Sequence, residues 1–412
     1  MRGKKRALSP PAAAVDATAR LQDRHLAEIL LRLPSPASLA RAAVVCRRWR
    51  RISVSAAFLR QFRRFHPPQL VGFFICNGGF HVERVGGRLV GHILDPTFLP
   101  VLPPPQGVDF SLRRVPDVDH WTLADARDGL LLLSSTFNDR MSIPRNFVVC
   151  DPLSRRSFLV EHAPTYQLDG ESAYLGAALI VVDGGPSSST LSFEVILVTY
   201  FMFGPRLCVF SSRTAQWSVH PEARCGKSLM PMLSGVGDPA HANGCVYWVM
   251  DDESEAYLLV LDTRTKEFST TIKLLASMRE QYDGNMRVMR SEDGELRIVG
   301  MAWRALALHI WHLDRCRSRK GRWVREEVHE LATFQGVIEL FVDGNGGSTR
   351  IIDACEGVVF LKQFGSDWVY AVSLEDRRVV KLPHKRFSSG PALPYRMALF
   401  PPLPNQAQGQ DG

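Results

Sequence analysis

Short apolar runs separated by turn residues recur from residue 70 onward, and this pattern constrains the fold more than any other feature. Four of these runs are GLLLLSS (129–135), GCVYWVM (244–250), AYLLVLD (256–262) and WVYAVSL (368–374). The dipeptides Asp-Gly at 128 and Asn-Gly at 243 directly precede such runs. Apolar runs of this length with such turns are typical of β-strands and hairpins. The sequence therefore predicts an all-β region.

A weak internal repeat links these runs. In each copy an apolar strand leads into an Asp-type turn, and an aromatic or apolar residue follows. The copies align on Asp95, Asp151, Ser211, Asp262, Asp314 and Glu375, at a spacing of roughly 50 to 60 residues. Such units fit the four-stranded blades of a β-propeller, which closes into a ring because uncovered sheets must remove their edges. We expect a six-bladed propeller over residues 70–400, and a pair of β-sandwiches is the alternative.

The basic charge of the chain is confined to residues 1–66. That segment holds 15 Lys and Arg against three acids, Asp16, Asp23 and Glu28, which gives a net charge of +12. Residues 67–412 hold 35 basic and 39 acidic side chains, a net charge of −4. An electrostatic partner should therefore bind the N-terminal segment.

The cellular compartment is predicted from the absence of a signal peptide, a membrane span and paired cysteines in the sequence. No apolar stretch reaches the length of a membrane span or follows the basic start as in a signal peptide. The eight cysteines are scattered, without a C-x-x-C pair or a Cys/His cluster, which suits reduced thiols of an intracellular protein. Residues 1–18 are expected to be a disordered basic leader, or one that carries a nuclear-import patch, and residues 401–412 a disordered tail. We expect a protein of the nucleus or cytoplasm that does not bind membranes.

Residues 19–66 predict three to four short helices. The first is expected to begin at the cap residue Asp23 and to end at Leu33, before Pro34. Ser35 is expected to cap the second helix. The third and fourth should begin near Val45 and Ala57. The chain is therefore expected to be α+β, with a small helical unit before the all-β domain.

The stretch VVCRRWRR (44–51) raises the question of nucleic-acid binding. On a helix, Trp49 shares one side with Val45, Cys46 and Ile52, whereas the arginines lie mainly opposite. We therefore expect a buried Trp49 and a solvated face that consists of Arg47, Arg48, Arg50 and Arg51.

The first helix carries more apolar surface than a unit of this size can bury. Leu26, Ile29, Leu30 and Leu33 form a stripe, and Ala27 and Leu31 widen it to more than half the circumference. Small helical units cannot cover such a face alone. The surplus, which includes Leu31, predicts either a docking site or packing against the rest of the chain.

Residues 21–58 resemble the F-box. That motif has an opening Leu-Pro, an E-I-L-x-x-L-P helix, a V-C-x-x-W helix and a closing Phe. The matching residues are Glu28, Ile29, Leu30, Leu33, Pro34, Val45, Cys46, Trp49 and Phe58. Gln22 departs from the motif, which usually has proline there. The phrases GLLLL (129–133), NGCVYW (243–248) and LDTRTKEF (261–268) are similar to those of the β-propeller-like region of plant F-box proteins.

The resemblance implies a substrate-recognition subunit of a Skp–cullin–F-box E3 ubiquitin ligase. Its F-box would dock on a Skp-type adaptor, and through it on cullin and RING subunits, while the β domain binds an unidentified target protein. The adaptor residues it implies are Leu21, Ile29, Leu30, Leu33, Pro34, Val45, Cys46 and Trp49, which form the interface or support it. Leu31 is added to these residues because it belongs to the surplus apolar face of the first helix.

Motifs for catalysis or metal binding are not found in the sequence. GNGGST (344–349) lacks the lysine of a phosphate-binding loop, and His329-Glu330 lacks the second histidine of a metalloprotease. The chain is therefore expected to be a receptor and not an enzyme, without cofactor or metal. Two alternatives remain: a propeller that binds a small ligand or glycan, and a protein that binds nucleic acid through its basic segment.

Overall fold

A computed structural model describes most of the chain, and its contacts divide into two compact units. The described residues are 21–66, 69–75, 81–85, 88–92, 96–101, 110–112, 115, 121–135, 143–164, 173–182, 191–201, 204–221, 223, 239–251, 256–282, 285–289, 295–302, 306–314, 322–337, 349–355, 357–363, 368–382 and 392–397. The predicted leader and tail lie outside these residues. None of the described helices has the length and hydrophobicity that a membrane span requires.

The helical unit, residues 21–66, consists of four helices around a small apolar core. They are α1 (Asp23–Leu31), α2 (Pro36–Ala43), α3 (Arg47–Ser53) and α4 (Ala56–Phe65). The core contains Leu26, Leu30, Leu39, Ala42, Ile52, Phe58, Leu59 and Phe62. Leu26 and Leu30 are one helical turn apart on α1, so they point to the same side. The predicted helical unit is therefore present.

The helix boundaries confirm one predicted cap and correct another. Ser35 caps α2, because its hydroxyl accepts a hydrogen bond from the Ser38 amide at 3.2 Å. Asp23 does not cap α1; it is the first helical residue, and Gln22 precedes it in extended conformation without a side-chain cap. α1 ends at Leu31, two residues earlier than predicted. Backbone bonds from Arg32 to Ile29 and from Leu33 to Leu30 tighten the chain before Pro34.

The β unit begins with a strand, a separate hairpin and a further strand. They are β1 (Gln69–Ile75), the hairpin β2 (His81–Val85) and β3 (Arg88–His92), and β4 (Thr97–Pro100). Among the described residues, five four-stranded antiparallel sheets follow in chain order and form blades 2 to 6. Blade 1 is described after them, because its strands come from both ends of the unit. Blade 2 contains β5 (Trp121–Arg127), β6 (Leu130–Ser135), β7 (Phe147–Asp151) and β8 (Arg156–Val160). Blade 3 contains β9 (Ala173–Val182), β10 (Ser192–Phe201), β11 (Gly204–Ser211) and β12 (Gln216–Val219).

The remaining blades repeat this arrangement. Blade 4 contains β13 (Ala240–Ala242), β14 (Cys245–Asp251), β15 (Ala256–Asp262) and β16 (Phe268–Lys273), and helix α5 (Ala276–Tyr282) follows it. Blade 5 contains β17 (Met286–Met289), β18 (Arg297–Ala302), β19 (Ala307–Asp314) and β20 (Arg322–Glu330), followed by a 3₁₀ turn (Leu331–Thr333). Blade 6 contains β21 (Thr349–Cys355), β22 (Val358–Gln363), β23 (Val369–Ser373) and β24 (Arg378–Lys381), and β25 (Ala392–Met397) ends the unit.

Blade 1 combines strands from both ends of the β unit. β25 pairs antiparallel with β1, from Ile75–Ala392 to Gln69–Met397, and β4 pairs with the other edge of β1. β25 also contacts the first strands of blades 2 and 6, which are β5 and β21. The last described strand, β25, therefore closes the ring from its inner side. The described strands form a six-bladed β-propeller, as predicted.

The predicted hairpin turns have the expected geometry. Asp128 and Gly129 have φ values of 51° and 80°, and Asn243 and Gly244 have values of 50° and 71°. Positive φ at both central residues defines the type I′ turn, whose twist matches that of the paired strands. These dipeptides therefore join the first two strands of blades 2 and 4.

The repeated Asp-type turn joins the third and fourth strands of a blade. Asp151 accepts hydrogen bonds from the amides of Leu153 (3.0 Å) and Ser154 (3.2 Å). Asp262 accepts equivalent bonds from Arg264 (2.8 Å) and Thr265 (2.9 Å). A short side-chain acceptor at the strand end thus starts each of these turns.

The sequence alignment of the last copy is wrong by two residues. In blade 6 it is Ser373 that starts the turn, since its hydroxyl accepts a hydrogen bond from the Asp376 amide at 3.2 Å. Glu375 lies inside the turn and is exposed. The alignment chose the acidic residue Glu375 instead of Ser373, although a serine, Ser211, starts the same turn in blade 3. Asp95 lies outside the described residues.

Two buried aspartates connect neighbouring blades. Asp125 and Asp353 each follow a β-bulge in the first strand of their blade. One carboxylate oxygen of Asp125 accepts from the Leu179 amide of blade 3 at 2.8 Å. One oxygen of Asp353 accepts from the Ala392 amide in β25 at 3.1 Å. The second oxygen of each binds the amide of the following residue. Asp353 therefore holds the strand that closes the ring.

Replacing Asp353 by alanine should lower the free energy of unfolding of the β unit by about 3 kcal/mol, because the buried amides of Ala354 and Ala392 lose their acceptor. Urea unfolding of the full chain, followed by tryptophan fluorescence, measures the change. Glu375→Ala is the matched control and should alter stability by less than about 0.5 kcal/mol. Equal losses in the two variants would contradict a closing role for Asp353.

Candidate functional site

The nine residues predicted for adaptor binding all lie in the helical unit but differ in exposure. Ile29, Pro34 and Val45 are exposed. Leu21, Leu31, Leu33, Cys46 and Trp49 are half-buried. Leu30 is 1% exposed and belongs to the core. A partner can therefore reach eight of these side chains, and Leu30 can only support them from beneath.

The contrast between Ile29 and Leu30 follows from helix geometry. Successive side chains on a helix point about 100° apart. Leu30 shares its side of α1 with the core residue Leu26, whereas Ile29 points away from the core and is 46% exposed. The half-buried Leu31 and Leu33 pack against the core. The surplus apolar face expected on α1 is therefore narrower than its sequence indicated.

The start of α3 lies two residues later than predicted. Cys46 is extended, and its sulfur accepts a hydrogen bond from the Trp49 amide at 3.5 Å, so Cys46 caps the helix. Val45 precedes this cap, does not share the buried side of α3, and is 64% exposed. Its neighbour Val44 is also exposed. Sequence reasoning missed Val44, although two valines directly before a cap residue are a visible signal.

Trp49 is less buried than predicted. It is half-buried and packs against the helical core, while Ile52 belongs to that core. One side of Trp49 therefore supports the fold, and the other remains accessible. An aromatic side chain of this kind offers a large contact area to a partner.

Two of the four arginines of α3 form ion pairs with Asp23, and one of these two, Arg48, does not belong to the expected solvated face. Arg48 donates through Nε to Oδ1 of Asp23 at 2.8 Å, and Arg51 donates through Nη2 to Oδ2 of the same residue at 2.8 Å. Arg48 also donates to the backbone carbonyl of Leu21. The pKa of Asp23 is lowered, mainly by the hydrogen bond from Arg48. Arg47, Arg50 and Arg51 are exposed as expected, whereas Arg48 is half-buried.

The aromatic residues of α4 fall into a buried pair and an exposed end. Phe58 and Phe62 lie in the core with ring centroids 5.9 Å apart. His66 stacks on Phe62 at 4.1 Å. Phe65 follows the same helical spacing in the sequence but is exposed. α4 therefore contributes one turn less to the core than its spacing indicated.

The histidines of blade 5 have separate structural environments. Nδ1 of His309 lies 2.7 Å from the Tyr282 hydroxyl, which also accepts from the Trp311 indole at 2.8 Å. Burial lowers the pKa of His309, which favours its neutral form. His312 lies 3.7 Å from Glu326, on the other face of the strand. The described residues contain no cluster of three His, Cys, Asp or Glu side chains that could hold a metal ion.

A comparison with known families identifies the helical unit. Residues 24–64 match the F-box-like family, a range that runs from α1 into α4. The chain carries an F-box-like domain and a six-bladed β-propeller. No curated protein matches the chain.

The β-propeller has distant neighbours among solved structures. The Dos1 propeller is 12% identical, and the match covers 63% of this chain and 58% of that one, with a TM-score of 0.32. A luciferin-regenerating enzyme is 11% identical, with coverages of 65% and 78% and a TM-score of 0.35. TolB from Acinetobacter baumannii is 12% identical, with coverages of 64% and 57% and a TM-score of 0.27. At such scores the neighbours indicate nothing about the function of this chain.

Replacing Phe62 by alanine should destabilise the F-box-like domain by about 4 kcal/mol, because it removes a fully buried ring. Phe65→Ala is the matched control on the same helix and should have little effect, since that ring is exposed. Amide hydrogen exchange of residues 21–66 in the full chain measures both. Similar acceleration of exchange in the two variants would contradict the described packing of α4.

Proposed function

We propose that this chain is the substrate-recognition subunit of a Skp–cullin–F-box E3 ubiquitin ligase. The F-box-like domain would bind a Skp-type adaptor, and through it cullin and RING subunits. The propeller would bind a target protein. The observation that carries the proposal is the exposure of Ile29 and Val45, two apolar residues at positions that the F-box motif assigns to the adaptor interface.

The exposed apolar side chains of the helical unit support this proposal. Its core of eight side chains is complete, yet Ile29 and Val45 remain 46% and 64% exposed, and Val44 next to them is also exposed. Removal of apolar area from water contributes about 25 cal/mol per Å² of favourable free energy, from which the costs of association are subtracted. A protein surface that matched these side chains would therefore gain free energy without any change to the core.

The half-buried residues extend the proposed surface. Leu31, Leu33 and Trp49 pack on the core with one side and remain partly accessible on the other. Residues anchored in this way lose little conformational entropy when a partner binds. They would form the preorganised part of the interface.

The ligase role assigns no chemistry to this chain. The propeller would hold a target near the transferase of the complex, which raises the effective concentration of target lysines. We propose a receptor without catalytic residue, metal or cofactor, of the plant type that pairs an F-box with an associated propeller. We place it in the nucleus or cytoplasm, where such ligases act.

Nucleic-acid binding is a weaker candidate than adaptor binding. Two of the four arginines of VVCRRWRR, Arg48 and Arg51, already bind Asp23. A guanidinium whose charge is balanced by a carboxylate attracts phosphate less than one without an acidic partner. Binding of a small ligand or glycan by the propeller is not favoured by any feature of the described residues.

Replacing Val45 by glutamate should weaken binding of a purified Skp-type adaptor by more than about tenfold, because a charge would be buried at the interface. Val54→Glu is the matched control, since Val54 is 57% exposed and lies outside the proposed surface. Isothermal titration calorimetry with the full-length chain measures both affinities. Leu31→Glu is less informative, because Leu31 packs against the core.

Three outcomes of this titration are distinguishable. Loss of binding in Val45→Glu alone supports the proposal. Equal affinity of Val45→Glu and the native chain would exclude Val45 from the interface. If the native chain does not bind any Skp-type adaptor of its own organism, the ligase role is contradicted.

A further inference from the structure

A network of polar contacts joins the start of α1 to α3. Arg48 donates to Oδ1 of Asp23 at 2.8 Å and to the backbone carbonyl of Leu21. Arg51 donates to Oδ2 of Asp23, also at 2.8 Å. Two of the four arginines of α3 therefore bind the segment in which α1 begins. One guanidinium, that of Arg48, binds a side chain and the backbone together.

The start of α1 lacks the side-chain cap that often stabilises a helix N-terminus. Gln22 occupies the cap position, but its side chain does not accept a hydrogen bond from the first turn. The Asp23 carboxylate binds Arg48 and Arg51 of α3. The Gln22 carbonyl accepts the first backbone hydrogen bonds of α1, from the His25 and Leu26 amides, so the side-chain contacts that restrain residues 21–23 come from α3.

We propose that Arg48 is a positioning residue for adaptor binding, which fixes Leu21 and Gln22 at the edge of the docking surface. This inference rests on the proposed ligase function. The adaptor would contact Leu21, whereas Arg48 would act through the Leu21 carbonyl and Asp23. Without Arg48, residues 21–23 would lose conformational entropy when the adaptor binds, and this loss would lower the affinity.

Arg48 is better suited to this role than Arg51. The side chain of Arg48 is 29% exposed and binds two acceptors, whereas that of Arg51 is 71% exposed and has one hydrogen bond to Asp23. The planar guanidinium can present several donors in fixed directions, which a lysine cannot do. The geometry therefore assigns the ordering of residues 21–23 mainly to Arg48.

The backbone at Gln22 offers an independent way to fix the same segment. Gln22 has φ −70° and ψ 152°. Proline locks φ at about −65°, so a proline at position 22 would favour the observed conformation covalently. It would thus replace the restraint that Arg48 provides, without contact to Arg48. This gives a rescue test that a general loss of folding would fail.

The first part of the test compares two neighbouring arginines. Arg48→Met should weaken binding of a purified Skp-type adaptor to the full-length chain about fivefold to tenfold. Arg47→Met is the matched control, because Arg47 is exposed on the same helix, and it should bind as the native chain does. Calorimetric titration gives the affinities, and far-ultraviolet circular dichroism reports whether each variant keeps its helices.

The second part adds Gln22→Pro to both backgrounds. In Arg48→Met it should restore most of the lost affinity, whereas in the native chain it should change affinity less than twofold, because the segment is already ordered. This non-additivity is the signature of a shared restraint. If Arg48→Met loses its helices, the same pair of variants, with and without Gln22→Pro, is made with Arg48→Lys. Lysine keeps the positive charge but lacks the planar guanidinium with its several donors.

The outcomes separate this inference from the proposed function. Native affinity in Arg48→Met, or failure of Gln22→Pro to restore binding in the variant that keeps its helices, overturns the positioning role and leaves the ligase role intact. Loss of helices in both Arg48 variants also overturns it, since Arg48 would then be a general folding residue. No adaptor binding by the native chain overturns both.

Discussion

The pairing of β1 with β25 is the interaction on which the rest of the β unit depends. The two strands lie at opposite ends of the β unit in the chain, yet they pair from Ile75–Ala392 to Gln69–Met397. Without this pairing the first and last blades would present open edges, which readily pair with other chains. Asp353 acts at the same junction, because its carboxylate binds the Ala392 amide that β25 brings to it. A short inner strand thus turns six separate sheets into one closed structure.

The helical unit has a different constraint, which is its size. Eight side chains complete its core, and the remaining apolar residues, Ile29 and Val45 among them, cannot all be covered by four short helices. The polar contacts of Asp23 with Arg48 and Arg51 do not add to that core. They order the chain where α1 begins, beside the residues that we assign to adaptor binding. The eight core side chains, the exposed Ile29 and Val45, and the charged side chains of Asp23, Arg48 and Arg51 are therefore separate groups of residues in one small domain.

The sequence predicted those features that depend on local patterns. The turns at Asp128 and Asn243, the cap at Ser35 and the six blades all follow from residue type and period, and the structure confirms them. The sequence did not predict helix boundaries to within two residues. It placed the start of α3 at Val45, and it therefore missed that Val45 precedes the helix and is exposed. It could not predict the contact of Arg48 with Asp23, because 25 residues separate the two and only the packing of α1 on α3 brings them together.

We propose that the F-box-like domain, and not the propeller, binds the Skp-type adaptor through its exposed apolar side chains. Amide hydrogen exchange of the full chain with and without adaptor, read by mass spectrometry, distinguishes the two units. Binding by the F-box-like domain should slow exchange in residues 21–34 and 44–52 and leave exchange in the strands of the six blades unchanged. Slower exchange in the blades with none in these two segments would contradict it.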